Sequence, residues 1–405
     1  KNTFFLTLNT GLTSLLGALF WFLAAKLYPA DEVGLATTLV AAVTLLGVLT
    51  SLGIGMSLMV FLPSAGTQAT SMINTALTAG AIISTLGGLV FLLGLPLWSP
   101  ALIPVLFEPI RAVLFLCAMI GWMLFSLQDD VLTAYRATQV LVTRGLLASI
   151  ARVALAAVFV GLDGFGLFST IIITQAIAVG WAAFHVFPRI QPDYKPRPDW
   201  NREIFNMFRK PAVAHYTADT LSWLPSTLFP ILVANRLGMA HSAYLYVAIM
   251  LFGVINMVPA RLATALLVEG AHDREGFRKK LSYSMALSLL IAFVAIIVVF
   301  LIGGWVLRLF GHDYSRYSRN LLLILSFASI PSSINGFYAV FERVNDNLTR
   351  LTVVTLVKVV LTLFVGFILL DSMGIDGIGI AILVGSSAVA IPSLLFVVKP
   401  KPRYR

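Results

Sequence analysis

The sequence predicts an all-α integral membrane fold: twelve transmembrane helices in two parallel-repeat lobes of six, arranged around a central cavity. Three observations carry this. Of 405 residues, 59% are hydrophobic and only 11% are charged, against about 25% charged in ordinary soluble domains. The apolar residues come in blocks of bilayer length, about 20 residues per crossing. Short motifs of the first half also return, in order, in the second. Such a composition excludes a water-soluble enzyme, a nucleic-acid-binding domain and a disordered chain.

Apolar runs bounded by charge, proline or glycine fall near 4–25, 33–61, 71–94, 105–127, 145–161, 165–187, 211–234, 243–268, 281–303, 319–341, 351–370 and 377–398. In hydrocarbon the backbone must satisfy its own hydrogen bonds, so these read as helices. The alternating ten-residue segments of a membrane barrel are missing. The first block, Phe4 to Ala25, lacks a small-residue cleavage site and reads as a span, not a signal peptide. Cys117, the single cysteine, allows no internal disulfide, and the five histidines show no metal spacing.

The formal charge is +10. With the N-terminus placed in the cytoplasm, twenty Lys and Arg residues fall on that side. Six fall on the other: Lys26, Arg111, Arg236, Arg308, Arg316 and Arg319. This bias supports cytoplasmic N- and C-termini, and makes the charge excess mostly a matter of orientation. Arg152 and Lys358 remain inside spans. Most polar mass sits in one cytoplasmic connector, Pro188 to Pro211, where Pro192, Pro196 and Pro198 predict a stiff, extended linker. It divides the chain into an N-terminal lobe (1–187), a linker (188–210) and a C-terminal lobe with a basic cytoplasmic tail (211–405).

The halves repeat. Asp163-Gly164-Phe165-Gly166 returns as Asp376-Gly377-Ile378-Gly379 at an offset of 213, and Ala30-Asp31 as Ala240-His241 at 210. Thr143-Arg144 with Arg152 returns as Thr349-Arg350 with Lys358, at an offset of 206. Six spans per half is an even number, so the halves insert in the same direction, the pattern of parallel repeats. That is the plan of an alternating-access transporter.

From Pro211 the chain resembles prokaryotic polysaccharide and oligosaccharide flippases of the multidrug/oligosaccharidyl-lipid/polysaccharide exporter superfamily. The likeness lies in Trp223-Leu224-Pro225-Ser226 through Pro230, Asn235-Arg236-Leu237-Gly238, and Ala243-Tyr244-Leu245-Tyr246. It continues in Val258-Pro259-Ala260-Arg261-Leu262 through Asp273, Leu309 to Tyr314, and Ser329-Ile330-Pro331 to Arg343. Tyr28-Pro29-Ala30-Asp31 resembles the end of the family's first span. The resemblance implies a carrier in the cytoplasmic membrane of a prokaryote. It would turn polyprenyl-phosphate-linked glycans to the outer leaflet, as a monomer, in company with membrane lipids and glycan-assembly enzymes, and with no nucleic-acid partner, cofactor or metal.

A phosphate-bearing cargo calls for Arg or Lys in a low-dielectric path. Arg152 and Lys358 fit, each eight residues, or about 12 Å of rise, past the loop arginines Arg144 and Arg350, which are themselves head-group candidates. The repeat sets them at equivalent positions on the cytoplasmic half, as a two-sided head-group receiver. Snorkelling to the interface is the competing account. Arg261 is a third head-group candidate, or an anchor for its helix end. Asp219 reads as the one acid well inside a span, with His215 one turn earlier. The pair would couple a proton or Na⁺, or else make a local ion pair. Pro225 and Pro230 interrupt span seven as a hinge or cavity-lining break, or as static curvature. Asn335, Tyr338, Gln175 and Asn256 would meet sugar hydroxyls, or bond between helices. A multidrug or cation antiporter of the same superfamily would need cavity-facing acids, and the first span has none. A membrane glycan polymerase or glycosyltransferase would need carboxylates on large outer loops, and these loops are short.

Overall fold

The structure, a computed structural model, describes residues 2–270 and 276–398, with side chains over 13, 15–208, 220–267 and 276–394. Among the described residues twelve long helices run in chain order: α1 (Asn2–Leu27), α2 (Ala30–Thr50), α3 (Ala69–Leu93), α4 (Pro109–Ala134), α5 (Thr138–Val158), α6 (Asp163–Trp181), α7 (Arg202–Leu237), α8 (Met239–Gly270), α9 (Phe277–Phe310), α10 (His312–Val344), α11 (Leu348–Met373) and α12 (Ile375–Val398). Among the described residues there is no strand. Among the described residues ten helices are long and apolar enough to cross a membrane. The fold is therefore an all-α membrane fold, as expected. Its lipid-compatible surface is plainest on α9, which exposes Leu290, Phe293, Phe300 and Leu301; a run of that size would not stay bare in water.

By internal packing the chain divides into residues 1–223 with 230–240, and residues 224–229 with 241–405. In the first unit the core joins Met72, Ile73 and Ala76 of α3 to Met123, Leu127 and Val131 of α4. In the second, Phe337 and Tyr338 of α10 pack with Leu266, Phe277 and Leu281.

Several boundaries differ from the expected spans, and four of them bear on the packing. The run expected at 33–61 is two helices, α2 and Ile54–Phe61. They part at Leu52 (φ 46°) and Gly53 (φ 74°). Just before the break, Thr50 Oγ1 and Ser51 Oγ donate to the carbonyls of Leu46 and Val48, a pattern that loosens helices. A left-handed leucine costs about 1–2 kcal/mol. The span expected at 105–127 continues as α4 to Ala134, and the one expected at 145–161 begins as α5 at Thr138. The seventh helix starts at Arg202 and not at 211, capped by Asn201 Oδ1, which accepts from the amides of Glu203 and Ile204. Its early turns bury Ile204 and Phe208 in the first unit's core. Near its other end Asn235 donates to Trp98 O (2.9 Å) and accepts from Ala101 N (3.0 Å). These ties explain why most of α7 groups with the first unit.

The linker turns at 191–193, has no regular secondary structure over 194–201 and lies along α3. Ser71 Oγ donates to Asp199 Oδ2 (2.8 Å) and Asn74 Nδ2 to Lys195 O (2.9 Å). Thr75 and Thr78 hydroxyls accept from the amides of Asn201 (3.3 Å) and Asp199 (3.1 Å). Residues 71, 74, 75 and 78 share one helix face, so a polar stripe supplies the bonds a chain without regular structure lacks. Tyr194 anchors the strap: it is 3% exposed and meets Phe187 edge-on at 5.2 Å. Burial pushes its hydroxyl pKa up to about 12.

Close approach demands glycine at one junction of the first unit. A β-carbon on Gly164, at the start of α6, would run into the backbone of Glu32 in α2. Gly164→Ala is expected to cost about 1–3 kcal/mol by overpacking. A drop in thermal midpoint of the purified protein would show it, and an unchanged midpoint would refute it.

Candidate functional site

The turn from α4 to α5 and the turn from α10 to α11 are the same structure. Tyr135, Arg136 and Ala137 amides donate to Val131 O, Thr133 O and Leu132 O. Asn345, Asp346 and Asn347 amides donate to Phe341 O, Arg343 O and Glu342 O. Arg136 and Asp346 take φ of 55° and 57°. Every atom pair recurs at an offset of 210. The Thr-Arg match at 206 is therefore four residues, one helical turn or about 6 Å, out of register. A four-residue slip keeps nearly the same helix face, which is why the motif matched in sequence. Arg152 and Lys358 are thus one turn out of register in the repeat and are not equivalent positions. Arg152 lies past the midpoint of α5 and Lys358 just short of the midpoint of α11.

Each unit carries an ion pair between these two helices. In the first, Arg144 Nη2 is 3.2 Å from Asp129 Oδ1 and donates to Phe125 O at 2.7 Å, while Nη1 donates to Gln128 Oε1 at 2.9 Å. The guanidinium also lies 3.8 Å from the centre of the Phe125 ring. Gln128 in turn donates to Val179 O of α6. The arginine side chain is 1% exposed and the aspartate 36%. In the second unit Arg350 Nη1 donates to Glu342 Oε1 at 3.4 Å, with the arginine 49% exposed and the glutamate 0%. The buried member is the cation in one unit and the acid in the other. Both arginines brace their helix pair.

Sequence reasoning missed these acids. Asp129 and Asp130 lie inside α4, and Glu342 inside α10, so Asp219 is not the one acid within a span. The signal was a carboxylate and an arginine flanking a tight turn. Asp130 has no ion pair among the described residues; its carboxylate sits against the backbone of Gly55, just past the break at Leu52 and Gly53.

Lys358 is half-buried and forms no ion pair or side-chain hydrogen bond with the described residues. Arg152 is half-buried, and Arg261 is exposed. Asn335 Nδ2 donates to Ser386 O of α12 at 2.9 Å. Asn256 Nδ2 donates to Phe252 O in its own helix. Gln175, 9% exposed, faces Gly121 of α4. Tyr338 is 1% exposed and belongs to the second unit's core. The helix α7 is continuous through Pro225 and Pro230, so these prolines do not break it. The side chains of His215 and Asp219 lie outside the described residues. Among the described residues no three His, Cys, Asp or Glu side chains converge.

No protein-family model and no curated protein matches the chain. Solved structures do. A lipid II flippase MurJ in an inward closed conformation superposes with a TM-score of 0.78 at 14% identity, over 98% of this chain and 88% of that one. An inward-facing multidrug resistance MATE family transporter of the MOP superfamily gives 0.70 at 14% identity, over 95% and 94%. Its outward-facing counterpart gives 0.59 at 15%, over 98% and 93%. The chain shares the fold of these solved transporters.

Proposed function

We propose that the protein is a flippase, not an enzyme. It moves a polyprenyl-phosphate-linked oligosaccharide from the inner to the outer leaflet of a prokaryotic cytoplasmic membrane, with both termini in the cytoplasm. The observation that carries this reading is the charge balance inside the helices. Asp129 and Glu342 are taken up by Arg144 and Arg350, while Lys358 has no acid among the described residues. A mid-helix charge facing lipid costs at least about 2.5–3.5 kcal/mol, so Lys358 is retained for an anionic cargo. A phosphate head group is such a cargo, and Arg152 of the first lobe is a second candidate cation for it. With the inside negative, each negative charge moved outward gains about 2.3 kcal/mol per 100 mV. Asn335, whose amide already bonds across to α12, is the polar group best placed to meet sugar hydroxyls as the helices rearrange.

One observation favours the multidrug or cation antiporter reading: Asp130, an intrahelical acid with no ion pair among the described residues. The two readings part in one experiment. Protein reconstituted with a fluorescent lipid-linked oligosaccharide is expected to expose the label to an impermeant quencher within minutes. Efflux of organic cations against a pH or Na⁺ gradient, without movement of the glycan lipid, would overturn the flippase reading.

A further inference from the structure

Helices α9 and α10 join through one residue, Gly311, so the last turn of one lies beside the first turns of the other. Ser315 Oγ donates to Gly304 O at 2.9 Å. Arg319 lies across Gly304, where a β-carbon would come 3.4 Å from its Nε. Arg308 stands one turn beyond Gly304 on the same face of α9, and Arg316 three residues before Arg319 on α10. All three arginines are exposed. Among the described residues none has an acid partner; the neighbouring Asp313 is 3.9 Å from His312.

Beside them is a fixed aromatic ledge. Tyr317, 41% exposed, stacks on Tyr244 with centroids 5.1 Å apart and planes 10° apart. Tyr244 meets Tyr314 edge-on at 5.1 Å, and both are buried. Ser318 Oγ donates to Tyr244 O. The His241 ring stands 5.5 Å from that of Tyr317, and the Arg316 guanidinium 5.5 Å from its centre.

Two ordinary explanations for the arginines fall short. The helix dipole favours a cation in the last turn of α9, which accounts for Arg308 but not for Arg316 or Arg319 near the start of α10. Under the orientation proposed above this end is outside, where basic residues are scarce, yet three of the six non-cytoplasmic cations gather here. Guanidinium forks match phosphate oxygens, and an exposed tyrosine ring offers an apolar face with a polar edge to a pyranose. We propose that this ledge binds the phosphate and first sugar of a prenyl-linked glycan at the outer face of the membrane. The proposal rests on the flippase reading and names a site for the cargo after it has crossed.

The test uses the full chain in discs of neutral lipid. The probes are a short-chain prenyl pyrophosphate carrying one sugar, the same pyrophosphate without sugar, and phosphatidylglycerol as competitor. The Arg316→Gln, Arg319→Gln double variant is expected to weaken both prenyl probes by about tenfold or more. Tyr317→Leu is expected to weaken only the sugar-bearing probe. These side chains are exposed, so an unchanged thermal midpoint will certify folding. Wild-type affinity in both variants overturns the proposal. Equal displacement by phosphatidylglycerol overturns it too, since the site would then be one for ordinary lipid headgroups. Flipping measured on the same preparations separates the two levels. Binding through Arg316 and Arg319 without any flipping by the wild type removes the flippase reading, whereas flipping with binding unchanged in the variants removes the ledge alone.

Discussion

Lys358→Gln is expected to slow glycan flipping roughly tenfold to a hundredfold, the worth of one charge-assisted hydrogen bond at about 1.5–3 kcal/mol. The folded protein should be no less stable. Lys358 sits near the middle of α11, half-buried and with no ion pair among the described residues, and removing an uncompensated charge from such a place relieves a desolvation cost. Loss of transport together with an unchanged or raised thermal midpoint therefore separates cargo binding from misfolding. Lys358→Arg keeps the charge and should retain most of the rate. Arg152→Gln should act in the same direction, and the double variant should be slower than either. Quencher accessibility of a labelled lipid-linked oligosaccharide measures all four. Wild-type rates in Lys358→Gln and Arg152→Gln would remove both residues from the cargo path.

Arg144→Ala is expected to destabilise the first lobe by about 3–5 kcal/mol, the penalty for breaking a buried ion pair from one side. Its guanidinium is 1% exposed and holds Asp129, Gln128 and the Phe125 carbonyl at once. Truncation strands all three and opens a cavity beneath the Phe125 ring. The second lobe allows a comparison of the two partners. There the acid is the buried partner, so Arg350→Ala, which leaves Glu342 alone, should cost more than Glu342→Gln, which frees an arginine already 49% exposed. Thermal unfolding of the purified variants reads both comparisons. An Arg144→Ala protein that melts with the wild type would contradict the brace, as would a Glu342→Gln protein that melts below Arg350→Ala.

The number of long helices was legible in the sequence because bilayer thickness imposes a ruler that tertiary packing does not alter. Their ends were less so. Asp129 and Asp130 look like a terminus when charge alone is read, yet α4 runs on to Ala134 because Arg144, folded back from α5, neutralises Asp129. The break at Leu52 and Gly53 was hidden inside an apolar run, since a left-handed leucine leaves no compositional trace. Arg152 and Lys358 were visible as charges within spans. Their register was not, because the motif that aligned them sits one turn away from the turn that sets it. The affiliation of α7 was also out of reach: Ile204, Phe208 and Asn235 anchor it to the first unit through partners far away in sequence.

The strap along α3 has a practical consequence for handling the molecule. Lys195 and Arg197 offer trypsin its most obvious targets in the longest polar stretch of the chain. Yet the backbone around them is sewn to Asn74, Thr75 and Thr78, and a protease must peel a segment free before it can cut. Mid-chain nicking should therefore be slow, and a tag or split site placed there would unpick the seam, whereas Arg136 and Asp346 lie exposed in short turns.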